Sequence, residues 1–329
     1  MDRLPRLAPW ILFALAAAFC VAVCQQRLIP IIPTVYASAA GVQDQGPPDQ
    51  GQDPADANLA PSGPSYTTQT APPPDQSAAP AGQPPDDAGY SELPTEQASE
   101  PPPPLPDYDQ PPAPGDGYIW TPGYWAWGPN GYYWVPGAWV EPPYMGALWT
   151  PGYWGFYGSR YLFYPGHWGL HIGFYGGINY GFGYIGLGYE GGYWNSGHFF
   201  YNRVYNNVNV RTVRNVYSYN AGNRGSFNRG GNNYNNNRNN NNSRPSFHGG
   251  AGVQARPRPS EAAAAREPTT PRMSTQVQHA QNYSAVRGQS AAQNHGRPAT
   301  PAVSRPLPAD RSVKPASNAS HGGQQQQHH

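Results

Sequence analysis

Trp120-Thr121-Pro122-Gly123-Tyr124-Trp125 is the stretch on which the reading of this chain turns, because it comes back. It returns as Trp134-Val135-Pro136-Gly137-Ala138-Trp139, as Trp149-Thr150-Pro151-Gly152-Tyr153-Trp154 and as Phe163-Tyr164-Pro165-Gly166-His167-Trp168, at intervals of 14, 15 and 14 residues. A weaker fifth copy, Trp194-Asn195-Ser196-Gly197-His198-Phe199, keeps the glycine and both aromatic ends. A repeat of this kind marks small elements that bury their apolar faces by stacking on one another. Aromatic residues favour strands, whereas a proline in every copy excludes long central ones. Each copy is therefore expected to be a short strand, a Pro-Gly kink and a second short strand, the kink restarting the alternation so that both flanking aromatics share a face. Gly128-Pro129-Asn130-Gly131 sits between two aromatic runs as a hairpin turn would.

Outward from the repeats, residues Gly117 to Tyr201 hold thirty aromatics and nine of the ten tryptophans. Trp and Tyr stacking between units contributes about 0.5–1.5 kcal/mol per pair beyond area burial. Beyond Tyr201, Val204, Val208, Val210, Val213 and Val216 give a weak strand signal that would finish a sheet. The 41 prolines and 39 glycines of the 329-residue chain are the composition of low-complexity sequence. The expected architecture is a mostly disordered chain with one small all-β aromatic repeat region, built of short antiparallel strands and Pro-Gly kinks. Its segments are 1–39 (signal peptide or N-terminal membrane anchor), 40–116 (acidic Pro-rich arm), 117–219 (repeat region) and 220–329 (Asn-rich, then Arg/Pro/Gln-rich tail).

The net charge of +1 hides an asymmetry. Gly41 to Asp116 carries thirteen acidic residues and no Lys or Arg, while Asn202 to His329 carries sixteen basic residues against Glu261, Glu267 and Asp310. The acidic arm has almost no large apolar residue, so it is expected to stay an extended, partly polyproline II spacer. Seventeen asparagines between Asn202 and Ser243 predict a disordered, self-associating stretch. Ala262-Ala263-Ala264-Ala265 offers one helical turn, too short to persist alone. At the N-terminus, Arg3 and Arg6 precede an apolar run from Ala8 to Cys24 and a small-residue Ala37-Ser38-Ala39 site. That pattern fits a cleaved secretory signal or an uncleaved anchor, and either places the remainder outside the cytoplasm. Cys20 and Cys24 both lie in the apolar run, so disulfides cannot hold the exported part.

The constellations that would carry chemistry are weak. Gly181-Phe182-Gly183-Tyr184-Ile185-Gly186 spells G-x-G-x-x-G, but no helix-forming sequence follows it, so these are repeat glycines. His167, His171, Glu190 and His198 invite a metal site, yet Pro165, Gly166, Gly169 and Gly173 exclude the helix that would align the histidines. The terminal Gln324 to Gln327 with His328-His329 reads as a solvated end. No nucleophile motif is present and carboxylates are scarce in the aromatic block, so no catalytic residue, metal or nucleotide cofactor is expected.

Trp120 to Trp168 resembles the WXXGXW (YXWGXW) repeat of bacterial envelope proteins, matching its Trp, Gly and Trp positions in three copies and putting Phe163 first in the fourth. The glycine-aromatic run from Gly166 to Asn202 resembles the segment that accompanies such repeats, so that the likeness covers about Gly117 to Tyr219. The resemblance implies an exported or surface-associated protein with no established activity and supplies no catalytic residues. The function expected is a non-enzymatic structural or interaction protein of the periplasm or cell surface, an aromatic platform for self-association or polymer contact. Its binding residues would be Trp120, Trp125, Trp134, Trp139, Trp149, Trp154, Trp168 and Trp194. The alternative is a glycan-binding module in which Trp and Tyr faces stack on sugar rings. The Arg-rich tail suits an anionic partner or the chain's own acidic arm, with membrane contact only through an uncleaved N-terminal segment.

Overall fold

In the computed structural model, which describes residues 53–62, 93–221 and 244–315, the repeat copies pair two by two. All of these residues lie in one of the two units into which the chain divides, Gly46–His329. The signal-or-anchor segment, most of the acidic arm, the asparagine runs and the Gln-His end lie outside the described residues.

After a short strand β1 (Glu96–Ala98), the first two copies form β2 (Ile119–Thr121), β3 (Tyr124–Gly128), β4 (Gly131–Val135) and β5 (Ala138–Val140). Strand β2 pairs antiparallel with β5, setting Trp120 opposite Trp139, and β3 pairs with β4, setting Trp125 opposite Trp134. The result is one hairpin bent across both arms, with Pro122-Gly123 and Pro136-Gly137 facing each other at the bend. Copies three and four repeat the construction as β6 (Leu148–Thr150), β7 (Tyr153–Tyr157), β8 (Arg160–Tyr164) and β9 (His167–Gly169). There Trp149 stands opposite Trp168 and Trp154 opposite Phe163. Pro129-Asn130 closes the first hairpin as the spacing predicts. In the second, Gly158 (φ 54°) and Ser159 (φ 71°) are both left-handed, the conformation of a type I′ turn that matches strand twist.

The chain continues through β10 (Asn179–Gly181), β11 (Tyr184–Ile185), β12 (Gly192–Asn195), β13 (His198–Asn202) and β14 (Val216–Tyr217). Val216 does finish a sheet, parallel to β13, and Val213 is buried, whereas Val204 and Val210 are exposed. The fifth copy is not a copy in space. Ser196 (φ 48°) and Gly197 (φ 79°) form the tight turn between β12 and β13, and Trp194 faces Phe199 directly across it. Its glycine turns the chain; the others bend a strand.

A bare spacer and a bare tail do not describe residues 93–116 and 244–315. β1 adds to β8, while β15 (Phe247–His248) lies parallel along β7, giving the order β1-β8-β7-β15; β16 (Thr270–Pro271) extends the β6–β9 pair. Within the basic segment the described residues form the helices α1 (Pro259–Ala264), α2 (Ser274–Ser284) and α3 (Ala291–Asn294). The reason is a demand the apolar count misses. Trp125 Nε1 donates to Pro104 O (3.2 Å), Trp139 Nε1 to Pro111 O (2.8 Å), Trp134 Nε1 to Pro301 O (2.9 Å) and Tyr132 OH to Glu100 O (2.8 Å). A buried donor left without an acceptor costs about 1–3 kcal/mol. Proline-rich chain suits that need, because extended polyproline backbone makes no internal hydrogen bonds and its carbonyls are free to accept.

The C-terminal strap is pinned through Gln289, which is fully buried. Its Nε2 donates to Trp134 O (3.2 Å) and Thr300 O (2.7 Å), and its Oε1 accepts from Thr300 N (3.0 Å). Residues 301–307 then run along β5, with Val303 N donating to Gly137 O and Leu307 N to Trp139 O, both at 2.9 Å. Gln289→Ala is expected to lower stability by about 2 kcal/mol, since it strands buried backbone groups. Denaturant titration reads the loss, and hydrogen exchange at Val303 and Leu307 should quicken with it.

Candidate functional site

Seven of the eight tryptophans expected to meet a partner are between 0 and 5% exposed: Trp120, Trp125, Trp134, Trp139, Trp149, Trp154 and Trp168. They are core, and they cannot offer ring faces to a polymer or a sugar. Each pairs with a ring of the facing copy: Trp120 with Trp139 (5.3 Å, 65°), Trp125 with Trp134 (5.2 Å, 70°), Trp149 with Trp168 (5.2 Å, 58°) and Trp154 with Phe163 (5.2 Å, 46°). Thus the first aromatic of one copy meets the last of its partner. The motif glycine completes the interlock. A Cβ on Gly137 would lie 2.7 Å from Trp120 Cζ2, one on Gly123 2.7 Å from Trp134 Cε2, and one on Gly152 2.9 Å from Phe163 Cζ, while one on Gly166 would enter the Trp149 ring. Every first ring therefore lies across the glycine of the facing copy. These glycines are needed for close approach, not for a left-handed backbone, since none has positive φ.

The two hairpins are joined by Trp154 Nε1 donating to Trp125 O (2.8 Å). A family model matches residues 115–140 in two copies. These are WXXGXW repeats. The two matched copies are the two arms of the first bent hairpin, and Trp149 to Trp168 reproduces its WXXGXW interlock with Phe163 in place of one tryptophan. No curated protein and no solved structure matches the chain.

The histidines and carboxylates singled out in the sequence are scattered. His167 is buried on β9, and burial drives its pKa down to about 4. His171 Nδ1 lies 2.8 Å from Glu267 Oε2, Glu190 is buried, and His198 is exposed. Among the described residues no group of three or more His, Cys, Asp or Glu converges on a point. The G-x-G-x-x-G stretch covers the end of β10, the turn at Phe182-Gly183 and β11, and at the turn Gly183 (φ 94°) packs so close to Gly191 that no Cβ fits.

One of the clefts open among the described residues, of about 370 Å³, lies between the first repeat hairpin and the β12–β13 hairpin. Its walls are Tyr118, Tyr144 and the half-buried Trp194, with Asp116, Glu141 and His198 around them. Trp194 is held by its edge: Nε1 donates to Ala147 O (3.1 Å), and its ring meets Phe199 at 5.4 Å and 65°. Tyr201 OH donates to Tyr118 O (2.8 Å) and fixes the opposite wall. One oxygen of each carboxylate holds backbone, Asp116 Oδ1 accepting from Arg214 N (3.0 Å) and Glu141 Oε2 from Ala309 N (3.3 Å). Sequence reasoning found Trp194 but missed Tyr118, Tyr144, Asp116 and Glu141. Of these, Glu141 and Tyr144 leave a trace: they lie in the link between copies two and three, whose 15-residue interval breaks the 14-residue spacing within each hairpin.

Proposed function

We propose that this chain is a non-enzymatic, exported structural or interaction protein of the bacterial cell envelope, in which paired WXXGXW repeats form a rigid platform rather than a sticky aromatic surface. The observation that carries the reading is the closure of the repeats: their rings interlock in the core, and the N–H groups of Trp125, Trp134 and Trp139 are capped by the chain's own Pro-rich segments. Such a core stabilises a scaffold; interaction is left to the outer surface. There, Arg256, Arg266, Arg287, Arg297, Arg305 and Arg311 are exposed and suit an anionic polymer. Part of the acidic arm also meets the basic segment, Asp107 Oδ1 lying 3.0 Å from Arg244 Nη2. Export rests on the N-terminal charge and hydropathy pattern. Cell fractionation of the full chain, followed by cosedimentation with purified envelope polymer over a salt series, tests this. The expected result is recovery in the envelope fraction and polymer binding that weakens with salt; a cytoplasmic chain that binds no envelope polymer overturns it.

The second reading, a glycan-binding module, loses Trp125, Trp139 and Trp154 as stacking residues because they are buried. It is favoured at one place only, the cleft beside Trp194.

A further inference from the structure

We propose that the cleft formed by Tyr118, Tyr144 and Trp194 is a saccharide subsite selective for neutral or amino sugars over acidic ones. The inference rests on the glycan-binding reading and gives it a location and a ligand class. The volume of about 370 Å³ falls within the range of small-ligand sites. Pyranose rings present an apolar C–H face and a rim of hydroxyls, and this cleft offers the matching pair. Trp194 and the two tyrosines supply aromatic walls; the Ala147 carbonyl holds the Trp194 ring and Tyr201 holds the Tyr118 backbone before any ligand arrives. A wall fixed in advance loses little freedom on binding.

Selectivity follows from charge. Asp116 and Glu141 each keep a second carboxylate oxygen that can accept from a hydroxyl or an ammonium group, and an ammonium also gains from the electron-rich aromatic faces. Among the described residues no Arg or Lys lines the cleft, so a uronate or phosphate would meet the like charge of Asp116 and Glu141 with neither cation beside it. The cleft therefore rejects the polyanions that the exposed arginines attract, and the two surfaces serve different chemistries. Met145, 72% exposed on the rim above Gly197, extends the apolar edge along which a second sugar unit would lie.

The test is calorimetric titration of the full chain with three probes: the tetramers of glucosamine, N-acetylglucosamine and galacturonate. The first two are expected to bind and the third to fail. Trp194→Ala should weaken both by about tenfold or more. Because that change also loosens the β12–β13 hairpin, the paired substitution Asp116→Asn with Glu141→Gln provides a second arm. It should weaken the glucosamine tetramer about tenfold while leaving the N-acetylglucosamine tetramer within about twofold. Absence of binding by all three, strongest binding by galacturonate, or affinities unmoved by both variants overturns the subsite. The outcomes separate from those of the broader reading: envelope recovery without oligosaccharide binding sinks the cleft alone, and oligosaccharide binding by a cytoplasmic chain sinks export alone.

Discussion

Gly123→Ala is expected to destabilise the fold by about 3 kcal/mol, at the upper end for adding one methyl group to a packed core. The new Cβ would sit 2.7 Å from Trp134 Cε2 and 2.9 Å from Val135 O. Neither neighbour can yield. Trp134 is 1% exposed, pairs with Trp125 and donates to Pro301 O, and Val135 belongs to the β4 arm that pairs with β3. The backbone at Gly123 has no positive φ, so the cost comes from contact and not from conformation. Gly115→Ala is the control, because nothing lies within 4 Å of its added Cβ; it should be near neutral. The decisive measurement is a double-mutant cycle in denaturant. In a Trp134→Phe background, the smaller ring should relieve the collision, so that Gly123→Ala costs about 1–2 kcal/mol less than in the wild type. Equal costs in both backgrounds would mean that the first ring of one copy does not set the glycine of the other.

That interlock shows which parts of the fold could be read in advance. Proline two places after an aromatic, then glycine, then an aromatic two places on, is a strand broken and restarted, and all four kinks lie where the motif puts them. The turn at Pro129-Asn130 was equally legible from its glycine flanks. Which copies face each other was not. Intervals of 14, 15 and 14 read as a row of equal units, although the physical module is two copies joined by a tight turn. The turn at Gly158-Ser159 carries only one glycine and announces itself less than Gly128-Pro129-Asn130-Gly131 does. Exposure was misjudged for a related reason. Density of tryptophan says that a surface is available for burial, but not whether the chain buries it against itself or leaves it for a partner. Here the answer came from segments with no apolar pattern: Pro104, Pro111 and Pro301 close the core through carbonyl oxygens, and no hydropathy count records a free acceptor. The cleft was hidden similarly, since Asp116 and Tyr118 reach Trp194 only once β2–β5 and β12–β13 are folded beside each other.

Between pH 4.5 and 6.5 the contributions of two buried groups, His167 and Glu261, are expected to offset each other in the wild type, so that removing either tilts the stability profile in opposite directions. His167 is buried on β9, and desolvation of its charged form lowers its pKa from 6.5 to about 4. Above pH 6.5 it is neutral whether folded or not. As pH falls below 6.5 the unfolded chain takes up a proton that the folded chain refuses, so stability is lost until about pH 4, by about 3 kcal/mol in all. Glu261 acts the other way. It is fully buried at the start of α1, where its carboxylate oxygens accept from Gly188 N (2.9 Å) and Arg258 N (2.8 Å); burial outweighs those bonds and raises its pKa from 4.5 to about 7. Below pH 4.5 it is protonated in both states. As pH rises from 4.5 to about 7 the unfolded chain releases a proton that the folded chain retains, so stability is lost on that side, again by about 3 kcal/mol. Over the shared window each group changes stability by about 1.4 kcal/mol per pH unit with opposite sign, and the slopes cancel. Glu261→Gln keeps one acceptor for the helix start and removes the titration, so the variant should become labile to acid, gaining stability as pH climbs from 4.5 to 6.5. His167→Gln should do the reverse, its stability falling relative to the wild type as pH climbs over the same range. His248 and His279, whose pKa values burial also lowers, steepen the acid limb in every variant and leave the contrast between the two intact. Denaturant midpoints at half-unit pH steps read both slopes at once; parallel profiles for the three chains would show that neither buried group titrates as its surroundings require.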